Sequence, residues 1–246
     1  MHENHDHHYG KESSFRIFNR IHKRYDFLNH LFSFGRDKSW RKKLCFQLTD
    51  KKNQHVLDLA TGTGDVALSL LKTNPHISHV YGCDLASNMI ETGRLKAIKF
   101  NIRQRIAFFL GDASNIPSAD NRFHAVTMAF GIRNTPDPSL VLREIRRVLK
   151  NEGRALILEF SIPSNKLLRA FHLFYLRTVI PPIGAWISGD SQAYRYLGQT
   201  IEAFPYGEDF CQLMRTAGFS KVTGMPLTFG AVTLYRGEKP GTGDNR

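Results

Sequence analysis

Between residues 55 and 160 the chain alternates apolar runs of strand length with stretches of helix length, and that alternation confines it to few folds. Strand-like runs are read at His55–Ala60, Val80–Asp84, Ile106–Leu110, Ala125–Ala129 and Ala155–Phe160. Helices are read at Val66–Lys72, Asn88–Phe100 and Leu140–Leu149. Strands joined through helices pair in parallel, because a parallel crossover needs a helix to bring the chain back. The predicted class is therefore α/β, a mostly parallel sheet with helices on both faces, and such sheets bind ligands at the carboxyl ends of their strands. Phe15–Leu48 reads as helical with a break at Ser33-Phe34-Gly35. Residues 161–205 interrupt the alternation; a helix at Glu208–Ala217 and a closing strand pair, Lys221–Pro226 and Ala231–Arg236, follow.

A chain of 246 residues suits one large domain. It is placed at 15–237, with a helical lid at 15–50, a pocket-forming insertion at 161–205, and tails at 1–14 and 238–246. Within the insertion, Pro181-Pro182 and Gly184 are predicted to break the apolar run Lys166–Ile187. No run of about 20 apolar residues is present to span a bilayer. Yet that run mixes basic and apolar side chains as a helix lying on a lipid surface would, so transient membrane contact of a cytoplasmic protein is an expectation. The alternative is a lid helix with its apolar face on the core. Cys45, Cys83 and Cys211 are widely separated, which gives no disulfide framework and favours a reducing compartment. His2, His5, His7 and His8 sit in a polar tail, and no metal site is expected. The net charge of +12 asks for an anionic partner, whether nucleic acid, membrane or phosphorylated ligand, without choosing among them.

The loop Asp58-Leu59-Ala60-Thr61-Gly62-Thr63-Gly64-Asp65 lies between the first strand and its helix. Its glycines permit a tight turn and close approach to a ligand, beside the free N–H groups of a helix start. The loop lacks the third glycine of a dinucleotide fingerprint and the lysine of a phosphate loop. An acid at Asp65 suits a ligand carrying positive charge. Asp84 ends the next strand about 20 residues on, where a carboxylate accepts from both hydroxyls of a ribose. Asp112 ends the third, placed for an adenine amino group. In order, these acids describe a nucleoside site.

These segments together resemble the successive motifs of class I S-adenosylmethionine-dependent methyltransferases. Tyr25-Asp26-Phe27-Leu28-Asn29-His30-Leu31-Phe32-Ser33-Phe34-Gly35 with Trp40-Arg41 is similar to the amino-terminal signature of the ubiquinone/menaquinone biosynthesis C-methyltransferases. Arg147-Val148-Leu149-Lys150-Asn151-Glu152-Gly153-Arg154, running into Leu158-Glu159-Phe160, resembles their second signature. Phe130–Asn134 and Asp190–Leu197 also look like family blocks. The resemblance implies a Rossmann-like, seven-stranded sheet and methyl transfer from S-adenosylmethionine to a ring carbon of a prenylated quinol. In the family, cofactor contacts fall at the positions of Thr63, Asp84, Asp112 and Ala113. The candidate cofactor set adds Asp58, Ala60, Thr61, Gly62, Gly64, Asp65, Leu85 and Ala129. Three positions depart from the pattern: Thr61 replaces a glycine, Ala129 a serine that touches the cofactor, and Asn151-Glu152 a Pro-Gly.

A quinol deprotonated at oxygen is a good carbon nucleophile and a quinone is not, so the site must stabilise a phenolate. Arg133 is the candidate for that, with Asn134 orienting a ring oxygen and Tyr25 acting from the lid. Tyr194, Arg195 and Tyr196 are the candidate substrate-binding group, with packing of the lid as their alternative. His172 reads as a structural histidine. The expected substrate is demethylmenaquinol, or the demethoxy-benzoquinol of ubiquinone synthesis, and a homodimer is compatible. An RNA methyltransferase is the competing enzyme class, but Arg133-Asn134-Thr135-Pro136 stands where a base-stacking tetrad would be, so no nucleic acid is expected. A non-catalytic nucleotide-binding scaffold would have no need of the retained acids.

Overall fold

The computed structural model describes residues 26–188 and 191–241. Tyr25 and the histidines of the tail lie outside the described residues. Helix α1 (26–32) stops where Phe34 and Gly35 take positive φ (52° and 74°), and α2 (Arg36–Cys45) starts from that left-handed turn. Glycine is the residue for which such a φ costs least.

The alternating region follows as β1 (Gln54–Leu59), α3 (Asp65–Thr73), β2 (Ile77–Asp84), α4 (Ser87–Lys99), β3 (Ile106–Leu110), β4 (Phe123–Ala129), α5 (Pro138–Val148) and β5 (Leu149–Phe160). The insertion forms α6 (Lys166–Phe174), a π turn (Tyr175–Val179), α7 (Ile180–Ser188) and α8 (Ser191–Ala203). The chain closes with α9 (Glu208–Thr216), β6 (Ser220–Leu227) and β7 (Val232–Glu238). The described residues form one seven-stranded sheet of order β3-β2-β1-β4-β5-β7-β6. β3 to β5 run parallel, and β7 lies antiparallel between β5 and β6.

Side chains alternate across a strand, so β1 sends Val56 to one face and Leu57 and Leu59 to the other. Val56 packs with Leu44, Leu70 and Ile90 of α2, α3 and α4. Leu57 and Leu59 pack with Leu142, Ile145, Phe210 and Met214 of α5 and α9. Helix α5 is typical in its construction: Asp137 caps it by accepting from the Ser139 N–H at 2.8 Å, Pro138 opens it, and Val141, Leu142, Ile145 and Val148 recur on one buried face. A third cluster, Leu28, Ile162, Leu176, Ile180, Tyr194 and Ile201, joins α1 to the insertion above the carboxyl ends of the strands.

Three features differ from the sequence reading. β5 begins at Leu149, six residues before the predicted Ala155, through a left-handed Glu152 (φ 61°) and an irregular register with β4. The expected break at Pro181-Pro182 is absent as such. These prolines enter α7 after the π turn, in which the Ile180 N–H reaches the Tyr175 carbonyl, so the widened turn takes up their misfit without ending the helical path. The tail expected from 238 is packed as far as Lys239, whose Nζ donates to the Leu149 carbonyl at 2.8 Å.

Candidate active site

Two cavities open at the carboxyl ends of the parallel strands. The first lies over β1, β2 and β4 and is walled by Ala60, Gly62, Asp84, Leu85, Asp112, Ala113 and Ala129, all expected from the sequence. Cys83, Met89, Gly111, Met128 and Gly131 line it as well. Gly131 is needed there: a Cβ would lie 2.4 Å from that of Ala60.

Asp84 organises this cavity. Its Oδ2 accepts from the Gly62 N–H at 2.8 Å and its Oδ1 from the Ala86 N–H at 2.9 Å, so the carboxylate fixes the glycine loop while keeping lone pairs for a ligand. Burial pushes its pKa up, against the main-chain N–H groups of Ala86, Gly62 and Leu85. Asp112 accepts from the Ser114 N–H at 2.9 Å.

The structure does not bring the rest of the loop set to the same wall. Asp58 is fully buried, with its two oxygens accepting from the Thr61 and Thr127 hydroxyls, each at 2.6 Å. Thr61, the departure from the family's glycine, thus locks the loop from beneath. Gly64 caps α3 with φ 83°. The Thr63 hydroxyl donates to Asp26 Oδ1 of α1 at 2.6 Å and accepts from Lys96 Nζ at 2.8 Å. Asp65, assigned from the sequence to balance a positive ligand, pairs with Lys96 at 2.7 Å and lies 3.6 Å from Arg41. Its charge is answered by the protein's own cations, because α2 and α4 deliver them from positions remote in sequence.

Burial raises the Asp58 pKa from its ordinary 3.8 to about 6, the two threonine hydroxyls opposing. The folded state therefore holds this proton more tightly than the unfolded chain does. Stability falls as pH rises through that window and the penalty is complete above it, at about 3 kcal/mol. Asp58→Asn keeps partners for both hydroxyls without the charge. It is expected to raise the melting temperature at pH 7, with the gain vanishing near pH 4 in a thermal melt series.

The second cavity, about 250 Å³, lies between α1, α2 and the insertion, near the lower end of small-molecule sites. Its walls are mainly apolar, including Leu28, Phe32, Trp40, Phe160, Leu176 and Ile180, and its polar groups include Arg133, Asn134 and His172. Phe130 and Asn134 line both cavities, so the two meet there.

Arg133 is buried with Glu159: its Nη1 donates to Glu159 Oε1 at 2.8 Å and to the Phe130 carbonyl at 2.6 Å. Its guanidinium sits 5.2 Å from the Phe160 ring centre, and its Nε is buried without a partner. Asn134 Oδ1 is likewise buried and unpartnered. Tyr194 is buried edge-on against Phe32 at 5.6 Å, and Tyr196 lines the cavity, its hydroxyl held up in pKa by burial against the pull of Arg133. Arg195 lies on α8 with them. The Tyr175 hydroxyl donates to the Phe32 carbonyl at 3.1 Å, tying the insertion to α1.

Sequence reasoning gave no role to two residues here. Asp37 and Arg41 form a buried pair in the cavity wall. Burial alone would raise the Asp37 pKa, but the His30 and Arg41 bonds hold it below the usual carboxylate range. Their spacing of four on a helix was the available signal. The three cysteines are free and buried.

A model of the ubiE/COQ5 methyltransferase family matches residues 7–239. The chain is 42% identical over 223 residues to the ubiquinone/menaquinone biosynthesis C-methyltransferase of Geotalea uraniireducens, covering 91% of this chain and 94% of that one. It is 41% identical over 225 residues to the demethylmenaquinone methyltransferase of Bacteroides fragilis, covering 91% of each. Among solved structures, a SAM-dependent methyltransferase of Thermotoga maritima, described as a possible histamine N-methyltransferase, superposes with a TM-score of 0.63 at 20% identity, over 92% of this chain and 99% of that one. That likeness speaks for the class I methyltransferase fold, and the match along nearly the whole chain speaks for more: the protein belongs to the ubiE/COQ5 methyltransferase family.

Proposed function

We propose that the protein transfers a methyl group from S-adenosylmethionine to a ring carbon of a prenylated quinol, with demethylmenaquinol as the acceptor. The observation that carries this reading is the meeting of the two cavities at Phe130 and Asn134. One side offers acids at successive strand ends for a nucleoside, the other apolar walls with an arginine for an aromatic ring bearing oxygen. The residues fit the cofactor: Asp84 has lone pairs for ribose hydroxyls, Asp112 and Ala113 line the same cavity for the adenine, and Asn134, whose Oδ1 is orphaned, lines it with Ala129, which lacks a hydroxyl. When bound, S-adenosylmethionine supplies an electrophilic methyl on a sulfonium. The protein's part is to align the ring carbon with it, exclude water and stabilise the phenolate. Arg133, held in place by Glu159, provides the positive charge, and Asn134 orients an oxygen.

The deciding assay is transfer from labelled S-adenosylmethionine to chemically reduced demethylmenaquinone and to the demethoxy-benzoquinol analogue, side by side in detergent. Transfer to the naphthoquinol is expected. Failure with both rings, by protein that binds the cofactor, overturns the quinol reading and returns RNA to consideration.

Such an acceptor lives in a bilayer, and the insertion suits a visit there. No described helix is long and apolar enough to cross a membrane. Helix α6 buries none of its residues, leaving Leu167, Phe171 and Phe174 exposed, and Trp186 of α7 is 87% exposed, with Lys166, Arg169 and Arg177 among them. A surface that is apolar with basic residues interspersed matches an anionic lipid interface. Trp186 fluorescence is expected to shift to the blue on anionic vesicles. Phe171→Ser with Phe174→Ser is expected to weaken vesicle binding by roughly tenfold or more, from lost apolar burial. An unchanged emission spectrum would remove the membrane step.

A further inference from the structure

Among the described residues lining the 250 Å³ cavity, His172 of α6 is the single imidazole. Its Nε2 is buried and has no hydrogen-bond partner. The ring also bonds the main chain of Ser161. Ser161 already commits its N–H to the Ala231 carbonyl at 3.0 Å and its hydroxyl to the Gly230 carbonyl at 2.8 Å, which leaves its own carbonyl as the acceptor. With Nε2 unpartnered, the donor is Nδ1–H, and the neutral ring of this cavity residue leaves its Nε2 lone pair unused. This is the arrangement of a base held in one tautomer by a main-chain oxygen.

The placement relative to Arg133 follows from the same strand end. Glu159, whose side chain holds Arg133, lies near the end of β5, and Ser161, whose main chain holds His172, follows two residues on. The arginine and the imidazole are both lining residues of the one cavity. Burial lowers the proton affinity of His172, which keeps the ring neutral and able to accept.

We infer that His172 is the proton acceptor of the reaction, its Nε2 taking the proton of the ring hydroxyl next to the carbon that is methylated. The O–H bond breaks with its electron pair left on oxygen, and an N–H bond forms. The Ser161 carbonyl steadies the imidazolium, and Arg133 steadies the phenolate. As the ring carbon bonds the methyl, the pair of the old carbon–sulfur bond stays on sulfur. The proton on the new tetrahedral carbon then leaves to water and the ring regains aromaticity, with the imidazolium returning its proton to the oxygen. One proton is released in all.

This inference rests on the quinol reading, and the wild-type assay separates the two. If wild-type enzyme does not methylate the quinol, that reading fails, and the role of His172 fails with it. If wild type is active, His172→Gln and His172→Phe are expected to lower kcat by about 10²–10⁴-fold, with S-adenosylmethionine affinity by calorimetry within threefold of wild type. His172→Ala leaves a hole beside the ring, and added imidazoles are expected to restore turnover in order of their basicity, which a merely space-filling role would not produce. Either His172→Gln or His172→Phe within threefold of wild-type kcat overturns the inference. So does a large loss in His172→Ala that no imidazole relieves while the acceptor KM rises, since that marks a wall residue.

Discussion

Glutamine at position 159 is expected to lower turnover about a hundredfold while leaving cofactor affinity within a few-fold. Glu159 is fully buried and its Oε1 holds Arg133 Nη1 at 2.8 Å, from β5 across to the segment after β4. Glu159→Gln keeps the shape and removes the charge that centres the guanidinium. A displacement of roughly 1 Å at a reacting group costs about two orders of magnitude. Glu159→Ala is the harsher change. It strands Arg133 as an uncompensated buried cation and is expected to destabilise the fold by about 3–5 kcal/mol. Denaturant titration measures the second effect and single-turnover methyl transfer the first. Arg133→Ala supplies the control: if it turns over within a few-fold of wild type, the phenolate is stabilised elsewhere and the effect of Glu159→Gln is one of stability alone.

Asparagine at position 84 is expected to weaken S-adenosylmethionine binding roughly a hundredfold, about 3 kcal/mol. Asp84 uses one oxygen on the Gly62 N–H and the other on the Ala86 N–H, with lone pairs left for a ribose. An amide has one acceptor oxygen, so either the loop or the ligand loses a bond to a charged acceptor, each worth about 1.5–3 kcal/mol. Calorimetry with the cofactor reads this directly. Affinity within threefold of wild type would mean that the ribose lies elsewhere.

The contrast between Asp84 and Asp65 shows what the sequence could carry. The place of Asp84, at a strand end and on the cavity wall, was legible because strand ends can be read from apolar runs. Asp65 was not, because its partners Lys96 and Arg41 come from α4 and α2, and nothing in a local window pairs them. The parallel half of the sheet followed from alternation, and the break before α2 from Ser33-Phe34-Gly35. The placement of β7 between β5 and β6 did not, since a closing strand pair says nothing of which strand lies inside. His172 was hidden for a similar reason. It stands in an apolar helical run whose pattern reads as packing, and its place in the cavity lining and its unpartnered Nε2 show only in the folded chain.

The bonds from Asp26 to Thr63 and Lys96 join α1, a wall of the acceptor cavity, to the loop beneath the cofactor cavity. A ligand that settles the loop is expected to settle the acceptor's wall as well, and any such linkage between the two substrates is reciprocal. Whatever factor the cofactor adds to acceptor affinity, the acceptor returns to the cofactor. Asp26→Ala, which removes both bonds, should leave each substrate binding as though the other were absent.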